Sequence, residues 1–569
     1  MNEPGSLYDS LDFGEDEDYR RLDLPAPRRA GDGSLVVDAA SLEALSREAF
    51  SEIAFRLPTS QLEGFAAIAS DAGASDAERF VALSLIRNAA VAAEGVYPLC
   101  QDTGVANVHG WRGDCLSASG AISDAEAFAR GAREAYASRR LRASVLAPSS
   151  FLDEANTGNN LPIHADLRAV PGCAYRLVFS AKGGGSMSRT TLSMEAPALL
   201  GTDLLEARLE ALVKGLGPSA CPPYRIVCVL GGLSPEEALE ALTLAGLGLL
   251  DRLPRGAGNP ANARAAPARG AAAAAARLGA GAASIAAGAP AGGALRDTEW
   301  ESYIAAIAAR SGIGAQFGGS HLALDARAIR LPRHAASLPL AFGACCAASR
   351  HARAIVDANG FRLERMEEDP ARFLPAGEAL FPGAKRVDLD RPLPELAREL
   401  GDLEPGTPLL VSGHVLTARD KAHARFHALI AAGKPLPGYL LRHPVFYAGP
   451  TEAAPVNASG SFGPTTAGRM DAYMAELTAR GASLVSIAKG SRSAKANEAI
   501  REAGGAYLCA IGGAAALAGR DHIISSRLVD YPELGMEAVR LVEVRDLPVI
   551  VGSNAAGRNF YDECAEVRA

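Results

Sequence analysis

The chain has 569 residues, of which 48% are hydrophobic and 21% are charged, an ordinary composition for a soluble globular protein with two or more cores. Its net charge of −8 argues against nucleic acid as the main partner, because nucleic-acid-binding proteins usually carry a basic excess. No run of eighteen or more apolar residues occurs, so the sequence predicts no membrane span.

The first 35 residues predict an acidic N-terminal arm with little ordered structure. Glu15, Asp16, Glu17 and Asp18 follow one another in this segment, and it has no apolar core of the kind found in a secretory signal. Such an acidic segment is also unlike a mitochondrial presequence. We therefore expect a cytoplasmic location.

Residues 36–368 are predicted to form a larger, α-rich N-terminal domain with some strands. Apolar residues spaced by three and four from Ser41 to about Ala93 predict helices. The segment YRIVCVLGGLSPEEALEAL predicts a strand, a turn and a helix, with Ser234 as N-cap, Pro235 at the first helical position and Glu237 completing a capping box. Residues 254–293 are almost entirely Ala, Gly, Pro and Arg, which predicts an insertion that packs no core.

A boundary is predicted at residues 369–394, where Pro and charged residues indicate a linker. From 395 to 569, short apolar runs alternate with helical patterns, and glycine turns follow the runs. This pattern predicts a smaller C-terminal α/β domain with functional residues at the strand ends. The expected fold class is therefore α+β or α/β in two domains.

The nine cysteines do not predict a disulfide framework, because the chain is long and shows no signal peptide. Cys228 and Cys509 lie in apolar runs and are predicted to be buried hydrophobic residues. Cys100, Cys221 and Cys346 lie instead in or beside predicted loops, but their wide spacing matches no short ferredoxin or zinc motif. Spacing alone therefore supports metal binding only weakly.

Five basic residues lie in or near predicted turns: Arg142, Arg189, Arg419, Arg469 and Lys489. Guanidinium groups bind carboxylates through two parallel hydrogen bonds, so a cluster of them would suit a small dicarboxylate. Taken singly, each is more typical of a surface residue or a salt bridge.

Eleven stretches together carry a resemblance that extends from about Ala40 to Asn559. In chain order they are PLCQDTG, NTGNNLP, KGGGS, ACPPYRIVCVLGG, GIGAQFGGSH, RLPRHAAS, VSGHVLTARDKAHA, GKPLPGYLLRHPVFYAGP, SGSFGPTTAGRMDAYM, AKGSRS and YPELGMEA. In these motifs and their order the chain resembles the single-chain class I fumarases, which are iron–sulfur hydro-lyases.

The resemblance implies a 4Fe–4S cluster held by Cys100, Cys221 and Cys346, with a fourth iron that acts as a Lewis acid on the substrate oxygen. Cys346, rather than Cys345, lies at the family position relative to His334. The resemblance also implies a homodimer, a C-terminal domain of the swivelling type, and an active site between the two domains. The substrate residues that it implies are Gln101, Asp102, Arg142, Gly185, Arg419, Thr465, Arg469 and Lys489, with His334 paired to Asp102.

The implied reaction is the reversible hydration of fumarate to (S)-malate, a small dicarboxylate. Thr465 is then the base and Asp102 the acid, tuned by His334. The residue types alone leave simpler roles open, namely an N-cap for Thr465, a loop-capping residue for Asp102 and a buried structural histidine for His334. The alternative functions are a related hydro-lyase acting on tartrate or mesaconate, or a non-catalytic iron–sulfur sensor, which would need neither a base nor cationic clamps.

Overall fold

The computed structural model describes residues 7–256, 293–375 and 381–567. Helices and strands are both abundant in these segments, which confirms the predicted mixed α and β fold class. The predicted insertion falls almost entirely on residues 257–292 and so lies outside the described residues.

The N-terminal part contains the helices named next, of which the first three lie in the segment where helical periodicity was predicted. They are α1 (Ala39–Phe55), α2 (Thr59–Ser70), α3 (Asp76–Ala93), α4 (Asp124–Ser138), α5 (Gly184–Met187), α6 (Thr202–Leu216), α7 (Pro235–Gly246) and α8 (Thr298–Arg310). The predicted start of α7 is confirmed: the Ser234 side chain accepts a hydrogen bond from the Glu237 amide, and Pro235 is the first helical residue.

Beside these helices, the N-terminal part contains two large sheets. Its strands are β1 (Tyr19–Arg21), β2 (Arg28–Arg29), β3 (Leu35–Asp38), β4 (Val105–Gly113), β5 (Leu116–Ser119), β6 (Leu146–Pro148), β7 (Glu154–Asn156), β8 (His164–Val170), β9 (Tyr175–Lys182), β10 (Thr191–Glu195), β11 (Tyr224–Gly232), β12 (Leu295–Arg296), β13 (Ala323–Arg333), β14 (Leu338–Cys345), β15 (Arg350–Asp357) and β16 (Gly360–Glu364). One sheet has the order β1-β16-β15-β9-β4-β8 and the other β10-β14-β11-β13-β12. Strands such as β15 bury only alternate residues, several of them alanines, so their hydrophobic signal in the sequence is weak.

The N-terminal arm is ordered from Leu7 onward, which corrects the expectation of little structure. Leu7 and Phe13 are buried, and the Phe13 ring packs edge-on against Trp111. Strand β1 pairs antiparallel with β16. The acidic residues flank these anchors and pair with arginines of the domain, as Glu15 does with Arg252. Apolar anchors, rather than the acidic residues, hold this segment in place.

The C-terminal part is a mixed α/β unit, and its first strand lies inside the predicted linker. Its strands are β17 (Lys385–Asp388), β18 (Pro408–Thr417), β19 (Val445–Phe446), β20 (Val485–Ala488), β21 (Ala506–Ala510), β22 (Ile523–Asp530) and β23 (Val539–Ser553). Its helices are α9 (Leu393–Gly401), α10 (Asp420–Ala431), α11 (Asp471–Thr478), α12 (Ala494–Glu502), α13 (Ala515–Asp521) and α14 (Phe560–Val567). The sheet order is β17-β18-β19-β20-β21-β23-β22, and an additional pairing of β18 with β23 closes five strands into a ring.

Short 3₁₀ helices occur at Leu7–Ser10, Asp16–Asp18, Pro197–Leu200, Pro370–Phe373, Gly438–Leu441, Ala467–Met470 and Pro532–Glu537. Among the helices of the described segments, none has both the length and the apolar character needed to cross a bilayer.

One hydrophobic core is shared by the two parts of the chain. It joins Leu62 and Leu85 of the N-terminal helices to Tyr447, Met474 and other residues of the C-terminal part. The loops that leave β18 and β20 at their carboxyl ends therefore lie close to N-terminal loops, which positions the candidate site.

Two cysteines pair, although the sequence predicted no disulfide framework. Cys115 and Cys173 form a disulfide with a Cα–Cα distance of 5.0 Å. The register of β4 with both β8 and β9 brings the two turns that contain them side by side. This adjacency depends on long-range strand pairing, which cysteine spacing cannot show.

Candidate active site

Cys100, Gln101 and Asp102 lie in a loop between α3 and β4 that several distant side chains hold in place. Asn88 donates to the carbonyl of Leu99, and Tyr136 donates to the carbonyls of Thr103 and Gly104. Gln101 is buried and donates to the carbonyl of Pro464, in the C-terminal part. The loop is therefore braced from both halves of the chain.

The Asp102 carboxylate is held by backbone amides and surrounded by cations. Its Oδ2 accepts from the Gly184 amide at 2.9 Å and its Oδ1 from the Gly104 amide at 3.2 Å. Burial alone would raise its pKa, but the charges of Arg142 and Arg350 and the Gly184 hydrogen bond outweigh it and lower the pKa below its usual value. The Asp102 carboxylate is therefore ionised at neutral pH.

Cys221 lies in a second loop, in a strained conformation. Its φ is +64°, a region that residues other than glycine rarely adopt. The carbonyl of Cys221 accepts from the Ala347 amide at 3.0 Å, which ties this loop to the segment that carries Cys346. A Cβ at Gly512 would collide with the Cys221 Sγ, so glycine at this position makes room for the thiol.

Cys345 and Cys346 differ in what surrounds them. Cys345 ends β14, and its Sγ lies 3.6 Å from the Gly246 carbonyl at the end of α7. Cys346 follows the strand and is close enough to Cys221 for the two thiols to interact electrostatically. The surroundings therefore favour Cys346, rather than Cys345, as the third member of a thiol group.

Lys489, at the end of β20, joins the three thiols. Its Nζ donates to the Cys221 Sγ at 2.7 Å, and its charge also interacts with Cys100 and Cys346. Burial raises the pKa of Cys221, and that of Cys100 to about 11, so both thiols hold their protons at neutral pH until a cation binds. None of the three has a disulfide partner.

Cys100, Cys221 and Cys346 are the residues that could hold a metal cofactor. All three thiols are free of disulfides, and soft thiolates are the usual ligands of iron–sulfur clusters. In the described residues, no group of three His, Cys, Asp or Glu side chains is close enough to hold one metal ion.

The predicted clamps Arg142, Arg419 and Arg469 form a group of interacting cations. Arg419 is only 1% exposed, and its Nη2 donates to Glu537 at 2.8 Å. Burial, and next the nearby charge of Arg142, lower the pKa of Arg419 to about 10. The Nε atoms of Arg142 and Arg419 are buried without a hydrogen-bond partner among the described residues. Arg469 instead is half-exposed and binds Asp420 through two nitrogens.

Thr465 lies in a turn next to Lys489. Its amide donates to the Tyr447 carbonyl, and its own carbonyl accepts from the Lys489 amide at 3.1 Å. Thr466 occupies the N-cap position of a short 3₁₀ helix that precedes α11, so the helical segment begins one residue later than predicted. Thr465 is buried and is not itself the N-cap.

Gly185 lies in α5 and faces the Cys221 loop. A Cβ at this position would come within 3.6 Å of the Ala220 Cα. That is an ordinary van der Waals distance, so packing against the Cys221 loop does not by itself require glycine at this position.

His334 is the one predicted site residue that the structure leaves apart from the others. It is exposed, in the turn between β13 and β14, and its Nδ1 accepts from the Ala336 amide. Strand β14 has eight residues, a span of about 26 Å, and it separates His334 from Cys346. Within one chain, His334 is therefore distant from Asp102, and it is not a buried structural histidine.

Four residues of the site were missed by the sequence reasoning. Asn160 holds the Asp102 loop through the Gly104 carbonyl, Gln316 bridges Pro222 and Gly512, and Glu537 pairs with Arg419. Asn160, Gln316 and Glu537 lie in motifs that carried the resemblance, so those motifs could have identified them. Arg350 had no such signal, because its position beside the Cys100 loop depends on the pairing of β15 with β9.

Two family models match the chain over nearly its whole length. The model described as fumarate hydratase (Fumerase) matches residues 43–355, and the model described as fumarase C-terminus matches residues 360–564. Together they cover the three thiols and all of the cationic residues described above.

Curated proteins are similar over the same extent. Fumarate hydratase 2 of Leishmania major is 39% identical over 535 residues, covering 94% of this chain and 88% of that protein. Fumarate hydratase class I, aerobic, of Escherichia coli K12 is 39% identical over 538 residues, covering 94% of this chain and 92% of that protein. A putative L(+)-tartrate dehydratase subunit beta of Methanocaldococcus jannaschii is 30% identical over 171 residues, or 29% of this chain and 87% of that subunit. The chain belongs to the class I fumarate hydratase family.

Proposed function

We propose that the chain catalyses the reversible hydration of fumarate to (S)-malate, with a 4Fe–4S cluster bound by Cys100, Cys221 and Cys346. The observation that carries the proposal is the convergence, from both halves of the chain, of three unpaired cysteines with Asp102 and Lys489. The full-length similarity to proteins named as class I fumarate hydratases supports the same reaction, that of a hydro-lyase.

The arginines supply the binding of the substrate. Arg142 and Arg419 interact as like charges, and each has a buried Nε without a partner in the described residues. Burying two like charges with unpaired donors costs free energy, and an anion that accepts hydrogen bonds from both guanidinium groups would offset that cost. A small dicarboxylate fits because a carboxylate accepts the paired hydrogen bonds of a guanidinium group.

The acid and base roles fall to Asp102 and Thr465. Once bound, the cluster supplies a Lewis-acidic iron for the substrate oxygen. In the dehydration direction, Thr465 would accept a proton from the substrate carbon as an alkoxide, which the charge of neighbouring Lys489 favours, and Lys489 would also stabilise the negative charge that develops on the substrate. Asp102 is ionised in this chain and must take up a proton before it can act as the acid, which is a role for a nearby histidine.

A second copy of the chain provides that histidine in our proposal. His334 is exposed and far from Asp102 within one chain, so pairing requires His334 of the partner subunit. Apolar side chains that a second copy would cover support the homodimer: Leu233 is exposed in the turn after β11, which pairs with β13 beside the His334 turn. Phe151 and Leu152 are exposed at the tip of the β6–β7 hairpin, in the segment that follows Arg142. The homodimer and the cytoplasmic location stay predictions.

An anaerobic assay tests the proposal. The full chain is purified without air, and its iron content, absorption spectrum and fumarate hydration are measured before and after exposure to air. We expect activity and the cluster absorption to fall together while the circular dichroism of the fold is retained. Full activity after aerobic treatment with a chelator would overturn the cluster.

Tartrate is the second candidate substrate, because part of the chain resembles a putative tartrate dehydratase subunit. That similarity covers 29% of the chain, against 94% for the fumarate hydratases, which favours fumarate. Comparing kcat/KM for fumarate, L(+)-tartrate and mesaconate on one preparation decides between them. A higher value for tartrate or mesaconate would replace fumarate as the substrate.

A further inference from the structure

A cavity of about 540 Å³ is lined by Cys346 but by neither Lys489 nor Cys221. We call it the flanking cavity. Residues of β4, β9, β14 and α7 contribute to its lining, which includes His109, Lys182, Leu242, Cys345 and Arg350. None of Gln101, Asp102, Arg142, Arg419, Thr465 and Lys489 lines it. The flanking cavity borders the candidate active site through Gly183, Cys346 and Arg350.

The polar groups of the flanking cavity are arranged for an anion. Lys182 and Arg350 are its two permanent cations, and no Asp or Glu occurs among the described residues that line it, although the whole chain carries a net charge of −8. Arg350 is 3% exposed, and its Nε and Nη1 have no hydrogen-bond partner in the described part of the chain. A buried guanidinium with unused donors carries a desolvation cost that a bound anion would offset.

His109 adds a second unused polar atom to the same wall. It is buried, and its Nδ1 has no partner among the described residues. Burial, and next the neighbouring His164, lower its pKa to about 4, so the ring is neutral at pH 7. A neutral ring can donate one hydrogen bond to an anion without adding charge.

Another part of the lining of the flanking cavity is apolar. It is formed by Leu192, Val227, Leu239, Leu242 and Leu247. An inorganic anion would leave this wall in contact with water, whereas an aliphatic chain would cover it. A lining that combines charged donors with apolar side chains matches a molecule that has both a charged and an apolar part.

We propose that the flanking cavity binds a monocarboxylate with a short aliphatic chain, whose carboxylate lies against Lys182 and Arg350 and whose chain lies against Leu239 and Leu242. This site contains none of the proposed substrate residues Arg142, Arg419 and Lys489, although Arg350 and Cys346 border both sites, and it does not depend on the proposed reaction. Lys182 is available for it, because within the described residues its side chain makes a single hydrogen bond, the donation to Thr190 at 3.3 Å.

The probe for the test is hexanoate, titrated calorimetrically into the full chain prepared anaerobically, with (S)-malate present at saturation. We expect binding of one hexanoate per chain, and 1-hexanol, which lacks the charge, to bind at least about ten-fold more weakly. Lys182→Met should weaken hexanoate binding by a similar factor. The matched control is Lys214→Met, which removes an exposed lysine from α6, outside the cavity, and should bind like the parent.

Leu239→Glu provides an independent variant, because Leu239 is only partly buried and the new carboxylate would repel the probe. We expect it to abolish hexanoate binding while the unfolding temperature stays close to that of the parent. Three results would overturn the proposal: no hexanoate binding at millimolar concentration, equal affinity in the parent and Lys182→Met, or loss of binding when malate is added. The last would show that hexanoate enters the substrate site.

Discussion

Thr465 and Arg419 lie in the same half of the chain but are held in different ways. Thr465 is fixed through its backbone, by Tyr447 and Lys489, so its side chain can change without loss of the turn. Arg419 is fixed through its side chain, by the Glu537 carboxylate, and is almost fully buried. Substitutions at the two positions should therefore separate proton transfer from substrate binding.

Replacing Thr465 by Ala should lower kcat by about 10²- to 10⁴-fold, because a positioned general base contributes roughly that factor. KM should change little where it approximates Kd, and the iron content should equal that of the parent. Steady-state kinetics in both directions under anaerobic conditions measure the effect. Thr466→Ala, one residue later, is the matched control and should keep kcat. A near-normal kcat in Thr465→Ala would remove Thr465 as the base.

Replacing Arg419 by Lys should raise KM by roughly ten-fold or more, because lysine keeps the charge but loses the paired hydrogen bonds to a carboxylate. Arg425→Lys, in α10, is the control, since its pair with Glu533 is largely exposed and is 3.7 Å long. The same kinetic assay compares the two variants. An unchanged KM in Arg419→Lys would mean that Arg419 supports Glu537 and not the substrate.

For single residues, the sequence predicted which residues belong to the candidate site better than it predicted which residues surround them in space. Cys100, Cys221, Asp102 and Lys489 converge as expected, because short glycine- or proline-containing loops carry them to the ends of strands and helices. Arg350 could not be predicted, since only the register of β15 against β9 brings it to the Cys100 loop. The exposure of His334 was missed for a similar reason: the motif gives its identity but not the length of strand that separates it from Cys346.

Three loops that are distant in sequence bring the thiols together: the loop after α3, the loop before β11 and the loop after β14. Each is anchored by side chains of other elements, so each can be altered with limited effect on the rest. The helices of residues 41–93 and the start of α7 were predictable because periodicity and capping are local. Strand β11 was predicted as well, but the assembly of the two N-terminal sheets was not, because strand pairing is long-range.

Single replacements of Cys100, Cys221 and Cys346 by Ser should each lower the iron content of anaerobically prepared protein, because a hydroxyl is a poor ligand for iron–sulfur clusters. Cys345→Ser is the matched control, since that thiol is directed to α7. Iron and sulfide analysis with absorption spectra measures the effect. Loss of iron in Cys345→Ser with retention in Cys346→Ser would reverse the assignment of the two neighbours.

The Cys115–Cys173 pair should leave seven titratable thiols of nine when the protein is isolated without reductant and denatured. Closing the loop between them should stabilise the fold by about 4 kcal/mol in the chain-entropy description. Cys173→Ser should therefore unfold at a lower temperature than the parent without reductant, and at the same temperature with it. Nine thiols under both conditions would mean that the pair stays reduced.

In the whole molecule, the two parts of the chain contribute different chemical groups to the candidate site. The three thiols all lie before residue 350, whereas Arg419, Thr465, Arg469 and Lys489 all lie after residue 400. A shared core holds these parts together, and Gln101 and Lys489 each make a polar contact across the division. Only His334 lies apart, and this separation leads to a prediction about subunits.

Coexpression of Asp102→Asn with His334→Ala should restore activity that neither variant has alone. If His334 acts on Asp102 of the other subunit, the mixed dimer contains one complete site and should approach half of the parent activity. Differently tagged chains allow the mixed dimer to be isolated and assayed anaerobically. The control mixes Asp102→Asn with Cys100→Ser, two changes in the same loop. Each site of this mixed dimer lacks either Asp102 or Cys100, so the mixture should stay inactive even if the partner subunit supplies His334. No recovery in the first mixture would place His334 outside the reaction.

The core shared by the two halves also matters while the protein is being synthesised. Cys100 leaves the ribosome long before Lys489 and the residues that complete the core around it. At ordinary rates of translation this interval is roughly 20 to 80 s. During it, the thiols lack the lysine and the packing that surround them in the finished fold. Oxidants and foreign metals therefore have their best access to this protein before its chain is complete.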